Sequence, residues 1–203
     1  LVPDAAVLVA TVRGLKAHSG KHRIVAGRPL PAALLEENPD EVHAGGDNLR
    51  KQLENMKIHG VTPVVAINEF PGDNTGDLQA IEQIAAEYGA RSARCTHFSN
   101  GGAGAAELAS AVDDAASEDS SFAPLYGDDL TLREKIEIVA KRVYGAEDVS
   151  FSVPANKQLD SYERNGFGQL PVCIAKTHLS ISSDPKLLRS EERRGGKEWR
   201  SRW

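Results

Sequence analysis

The chain has 203 residues, 24 basic and 29 acidic, with 40% apolar and 5% aromatic side chains. That length suits one domain or part of a larger protein, and the apolar share can support a core. No apolar run approaches the ~20 residues that cross a bilayer, two cysteines make no disulfide framework, and the acidic balance argues against nucleic-acid or membrane partners.

Ala6 to Val12 (AVLVATV) is a continuous apolar, β-branched run and predicts a strand covered on both faces. Gly14 to His43 is rich in Gly, Pro and His and reads as a long excursion. Leu49, Leu53 and Met56 share one face of a helix that stops at Gly60. Val61 to Asn68 predicts a second buried strand, followed by the turn-rich EFPGDNTGD. Leu78, Ile81, Ala85 and Tyr88 mark an amphipathic helix ending at Gly89. Ala93 to His97 is a short third strand, and SNGGAG opens a helix with Leu108, Ala111, Val112 and Ala115 on its apolar face.

After the polar break Glu118 to Ser121, Thr131 and Glu134 form a capping box for a helix carrying Leu132, Ile136, Val139 and Val143. Pro154 suits the first turn of another helix, which continues through Leu159 and Tyr162 to Gly166. Leu170 to Ala175 (LPVCIA) predicts a last strand. Cys95 and Cys173 each fall in a predicted strand and read as buried, reduced thiols of a cytoplasmic protein. The alternation predicts an α/β fold: a mostly parallel sheet with helices on both faces.

Ligands of such sheets bind beyond the carboxyl ends of the strands. That rule selects four loops: Arg13 to Gly20, Asn68 to Asp77, His97 to Gly104 and Lys176 to Asp184. Asn68 offers a donor and an acceptor that suit a nucleobase edge, and equally suits a turn. Phe70 beside Pro71, and Phe98 after the third strand, could each be a stacking platform or a plug over the core. Gly101 and Gly102 lie before a helix, where backbone N–H groups can meet an anion. Three glycines also simply make a tight turn. Arg13, Lys16 and His18 form a cationic cluster suited to a carboxylate or phosphate, or a solvated basic loop; Lys176, Thr177 and His178 follow the last strand likewise. No zinc spacing, GxSxG elbow or GxxxxGK[ST] phosphate loop is present. The residues name no metal site and no catalytic group.

VATVRGLKAHSG (Val9 to Gly20) resembles the second signature of formate–tetrahydrofolate ligases, departing at Gly14, usually Ala, and Ser19, usually Gly. AGRPLP (Ala26 to Pro31), NLRKQLENMKIHGVTPVVAINEFPGD (Asn48 to Asp73) and CTHFSNGGAGAAELA (Cys95 to Ala109) match the same family. EKIEIVAKRVYGAEDV (Glu134 to Val149) and GFGQLPVCIAKTHLSIS (Gly166 to Ser182) continue the likeness, which runs from Leu1 to Leu188. The resemblance implies a fold related to P-loop NTPases and a reaction that joins formate to tetrahydrofolate with ATP, giving 10-formyltetrahydrofolate through formyl phosphate. It implies magnesium with the nucleotide, help from a monovalent cation, and a homo-oligomer in the full-length enzyme. It also implies that the phosphate-binding loop lies upstream of the matched part, so the polypeptide alone is expected to be inactive. By the same resemblance Phe70 packs on the pterin with Pro71 beside it. Phe98, where the family usually has Trp, is the second wall of that slot, and Asn68 is an adenine contact by analogy with related NTPases. A non-catalytic module keeping a folate or nucleotide pocket is the other reading.

The last fifteen residues, RSEERRGGKEWRSRW, hold both tryptophans, six basic and three acidic residues. That leaves 18 basic and 26 acidic for the rest, a net near −8 against +3 for the tail. The run has no period that would bury a face, and it resembles the translated form of a common sequencing adapter, changed at Gly195 and Trp199. The expected organisation is therefore 1–125 with the folate and nucleotide loops, 126–188 as a later segment of the same enzyme, and 189–203 as a foreign tail. With no initial Met, truncation is expected at both ends.

Overall fold

A computed structural model describes residues 2–22, 24, 27–174 and the backbone of 199–200. The chain divides into two compact units, Leu1–Ala123 and Pro124–Trp203.

The first unit is built on three parallel strands, β1 (Ala5–Ala10), β2 (Thr62–Asn68) and β3 (Arg91–Cys95), in the order β1-β2-β3. Register pairs Ala10 with Ile67 and Asn68 with Cys95, so all three strands end on one edge. The stretch read as an excursion carries three short helical pieces: α1 (Val12–His18), a 3-10 turn at Ala32–Leu34 and α2 (Pro39–Ala44). Its helices are short and set by caps rather than by periodicity. Thr11 accepts from Gly14 N–H at 3.0 Å, and Asn38 accepts from Glu41 N–H at 3.1 Å. Periods of one or two turns leave little hydrophobic signal, and Gly, Pro and His mask what there is.

The helices α3 (Asp47–Ile58) and α4 (Thr75–Glu87) supply the predicted apolar faces. Leu49, Leu53, Leu78, Ile81, Ile84 and Ala85 pack with Ala10, Val65 and Ile67 in one cluster. Each buried Leu, Ile or Val of the cluster contributes about 1.5–3 kcal/mol by burial. Strand side chains alternate, so Val64 and Ala66 point to the opposite face. There they are buried, and α6 (Ala106–Ala116) packs on all three strands, with Ala115 fully buried. Helices thus cover both faces of a parallel sheet, as the alternation predicts. Beyond this cover, Val7 and Val9 of β1 remain 44% and 64% exposed.

A buried ion pair ties the α1–α4 face together. The Lys16 ammonium, fully buried, donates to Asp77 Oδ2 at 2.6 Å and to the Glu36 carbonyl at 2.5 Å, while Asp77 Oδ1 accepts from Asn38 N–H at 2.8 Å. Glu41 plays a second linking part: it accepts from Ser19 Oγ at 2.9 Å and meets the His22 ring.

The second unit holds α7 (Leu132–Arg142), β4 (Val149–Ser150), α8 (Val153–Arg164) and β5 (Trp199–Arg200). The capping box forms as read, with Glu134 Oε2 accepting from both Thr131 N–H and Thr131 Oγ1 at 2.8 Å. Leu132, Ile136, Ala140, Val149 and Leu159 make the core. Lys135 is fully buried and donates to the carbonyls of Asp128, Gly168 and Leu170 at 2.9, 2.9 and 3.3 Å.

The strand expected over Leu170 to Ala175 is absent among its described residues, 170–174, and Cys173 is exposed rather than buried. An extended apolar run becomes a strand only where a ladder partner exists. Here side chains take that place. The Tyr126 hydroxyl accepts from Val172 N–H at 2.9 Å and donates to Val172 O at 3.3 Å, and Lys135 holds the Leu170 carbonyl. Two residues of the terminal run do join this unit's backbone, since Trp199 and Arg200 pair in parallel with Val149 and Ser150.

Candidate functional site

The carboxyl edge of the sheet gathers three of the four expected segments; the fourth, Lys176 to Asp184 with Lys176, Thr177 and His178, lies outside the described residues. After β1 comes α1, which begins at Val12. Arg13 and Lys16 therefore stand on a helix, not in a loop. Lys16, expected among the anion contacts, turns inward to Asp77 and has no exposed surface. Arg13 stays at the edge. Its guanidinium carbon lies 4.8 Å from the centre of the Phe70 ring, and Nη2 donates to the Pro71 carbonyl at 3.4 Å. His18 is half-buried, and burial pushes its imidazole below the usual value.

After β2, Asn68 is half-buried and in register with Cys95. Glu69 N–H then donates to the Cys95 carbonyl at 3.0 Å, extending the ladder one step into the loop. Phe70 and Asp73 close a turn on each other. Phe70 N–H donates to Asp73 Oδ2 at 2.9 Å, and Asp73 N–H returns to the Phe70 carbonyl at 3.0 Å. Asp73 is 3% exposed at its side chain. The Phe70 loop is thus fixed before any ligand arrives.

After β3 the chain makes a short helix, α5 (His97–Asn100), and a 3-10 turn, Gly101–Ala105, before α6. The expected single strand-to-helix turn is therefore two short elements. Thr96 organises them. Its N–H donates to Gly104 O at 2.9 Å, its carbonyl accepts from Ser99 and Asn100 N–H, and its hydroxyl accepts from Asn100 Nδ2 at 3.0 Å. Gly101 has φ +59°, a left-handed conformation that favours glycine. A Cβ on Gly101 or Gly102 would meet nothing within 4 Å, so both backbones face open space. Cys95 Sγ and His97 Nδ1 lie 3.0 Å apart at the start of this segment.

Phe98 is 85% exposed at the tip of α5, while Phe70 is half-buried. A plug over the core would be covered, and Phe98 is not. Adjacent paired strands thus end in one seated ring and one ring given to solvent. Such an edge suits a flat, apolar heterocycle with polar rims. Sequence reasoning missed Asp73 and Thr96, the groups that fix the two loops. The turn-forming Pro-Gly-Asp in FPGD was the signal available for the first.

A family model for formate–tetrahydrofolate ligase matches residues 1–193, five residues into the run that begins at Arg189. The chain belongs to the formate–tetrahydrofolate ligase family. It is 60% identical over 186 residues to a formate–tetrahydrofolate ligase of Saccharopolyspora erythraea, covering 92% of this chain and 33% of that protein. Against formate–tetrahydrofolate ligase 3 of Rubrobacter xylanophilus it is 55% identical over 196 residues, covering 92% and 34%. A Chloroflexus aggregans relative of the same name shows 51% identity over 190 residues, covering 92% and 33%. The chain therefore spans about a third of the length of the curated relatives it matches. No helix among the described residues is long and apolar enough to cross a membrane.

Proposed function

We propose that this chain carries the pterin slot of an ATP-dependent enzyme that joins formate to tetrahydrofolate. Phe70 and Phe98 wall the slot, Pro71 stiffens the first wall, and Asn68 meets the adenine edge. The observation that carries this is Phe98, 85% exposed in the short helix that follows β3, the strand paired with the one that leads to a fixed Phe70. An aromatic held out of the core on a hydrogen-bonded loop keeps its apolar face free for a ligand, worth on the order of 1 kcal/mol per stacked ring beyond area burial. Phe where relatives of the family usually carry Trp keeps the π face and gives up area and the indole N–H.

In the whole enzyme ATP, with Mg²⁺, phosphorylates formate. The amine of tetrahydrofolate then attacks the formyl carbon, a C–N bond forms, the carbon–oxygen bond to phosphate breaks, and 10-formyltetrahydrofolate, ADP and phosphate result. Holding the amine against the formyl group is the part these loops would serve, since positioning carries much of such a transfer. Gly101 and Gly102 are the anion contacts of this reading, supported by the open space around their backbones. No GxxxxGK[ST] occurs in these 203 residues, so this polypeptide alone binds folate without turnover. A cytoplasmic homo-oligomer, aided by a monovalent cation, is the setting we propose for the full-length enzyme.

Two measurements test this. Calorimetric titration with tetrahydrofolate should show binding that Phe70→Ala and Phe98→Ala each weaken. A chimera of the Saccharopolyspora erythraea relative, with residues 1–188 of this chain replacing its matching segment, should form 10-formyltetrahydrofolate from formate and ATP. A folded chimera without turnover defeats the ligase reading, and binding indifferent to both substitutions defeats the slot.

A further inference from the structure

Arg13 has the wrong surroundings for an anion ligand. Its Nε lies 3.7 Å from Asp73 Oδ1, so its charge already faces a nearly buried carboxylate. Nη2 is held by the Pro71 carbonyl at 3.4 Å, and the guanidinium lies over the Phe70 ring, 4.8 Å from its centre. Asp73 in turn holds the backbone N–H of Phe70 at 2.9 Å. One side chain from the first turn of α1 therefore touches the ring, the residue after it and the carboxylate that fixes its loop.

From this we infer that Arg13 is a positioning residue for the folate slot. It seats the Phe70 ring, occupies one of its two faces and leaves the other as the sole stacking surface. The inference rests on the pterin-slot reading above. A cation over one face draws electron density through the ring, so the opposite face becomes a better partner for an electron-rich pterin. The ring is also kept from turning, which lowers the ordering cost of binding. Arg13 then acts on the pterin and not on the charged glutamate tail of folate.

Two ligands separate these roles: tetrahydrofolate, and 6-methyl-tetrahydropterin, which has the ring system without the tail. Calorimetric titration of the 203-residue chain should show Arg13→Gln weakening both by the same factor, about threefold to fivefold. Adding Arg13→Gln to Phe70→Ala should cost nothing further, because the ring it seats is gone. Arg13→Lys, which keeps a cation near the ring, should retain more affinity than Arg13→Gln and serves if the Gln variant does not fold. A loss confined to tetrahydrofolate would make Arg13 a carboxylate contact and overturn the inference. So would unchanged affinity in folded Arg13→Gln, or full additivity with Phe70→Ala. If Phe70→Ala itself leaves both affinities intact, the slot reading fails first and this inference goes with it.

Discussion

Thr96 N–H donates to the Gly104 carbonyl at 2.9 Å, closing the nine-residue segment that lifts Phe98 into solvent. The two residues are in contact elsewhere as well. A Cβ on Gly104 would lie 2.7 Å from the carbonyl carbon, carbonyl oxygen and hydroxyl oxygen of Thr96.

Gly104→Ala should therefore open this closure. Two of the three clashing atoms are backbone and cannot rotate away, so the cost is expected at about 1–3 kcal/mol. A lower melting temperature, with weaker tetrahydrofolate binding that follows the displaced Phe98, is the outcome to look for. A Gly104→Ala protein as stable as the parent would show that the loop tolerates the side chain.

The Lys16–Asp77 pair makes a sharper stability prediction. Neither side chain reaches solvent, so Lys16→Met strands a buried carboxylate and should cost about 3–5 kcal/mol in urea unfolding. Lys16→Met with Asp77→Leu should recover much of this. The recovery falls short by about 1–3 kcal/mol because Asn38 N–H loses its acceptor. Equal stability of the single and double variants would contradict it.

His18 gives the pH dependence. Burial lowers its pKa from the usual 6.5, so the folded state binds this proton less readily than the unfolded one. Stability rises with pH wherever the unfolded chain holds more protons. The contribution is therefore intact above 6.5 and is lost as pH falls through that value towards the lowered one. Urea midpoints measured between about pH 5 and pH 8 should decline on the acid side, and His18→Gln should flatten the decline. A slope that Gln leaves untouched would assign it to other groups.

The thiols should differ in reactivity. Cys173 is exposed and Cys95 is 4% exposed. A disulfide reagent should modify one thiol quickly in the native protein and the second only on unfolding, and Cys173→Ser should remove the fast phase.

Much of this was legible because the signals were long or self-contained. Leu49 with Leu53, and Leu78 with Ile81 and Ala85, repeat over several turns. Thr131 and Glu134 specify their helix start within four residues. What escaped depends on partners distant in sequence. Lys16 read as part of a cationic cluster for an anion or a solvated loop, and nothing local singled out Lys135, yet Asp77 lies 61 residues from Lys16, and Lys135 finds carbonyls up to 35 residues away. Leu170 to Ala175 looked like a strand because an apolar run is local, while the ladder that makes a strand is not. At the candidate site Phe70 and Phe98 were singled out by their places after β2 and β3. The Asp73 side chain's hold on Phe70 N–H and the closure at Thr96 were not, since a carboxylate and a hydroxyl among loop residues carry no period.

Among the described residues β1 pairs on one side only, with β2, and Val7 and Val9 stand open on the α6 side of the sheet, beyond the part that α6 covers. Its outer row of peptide groups is a ready template for one more strand. Solutions of this polypeptide should then be sensitive to dilution, with self-association beginning at that row and a charged residue at Val9 suppressing it.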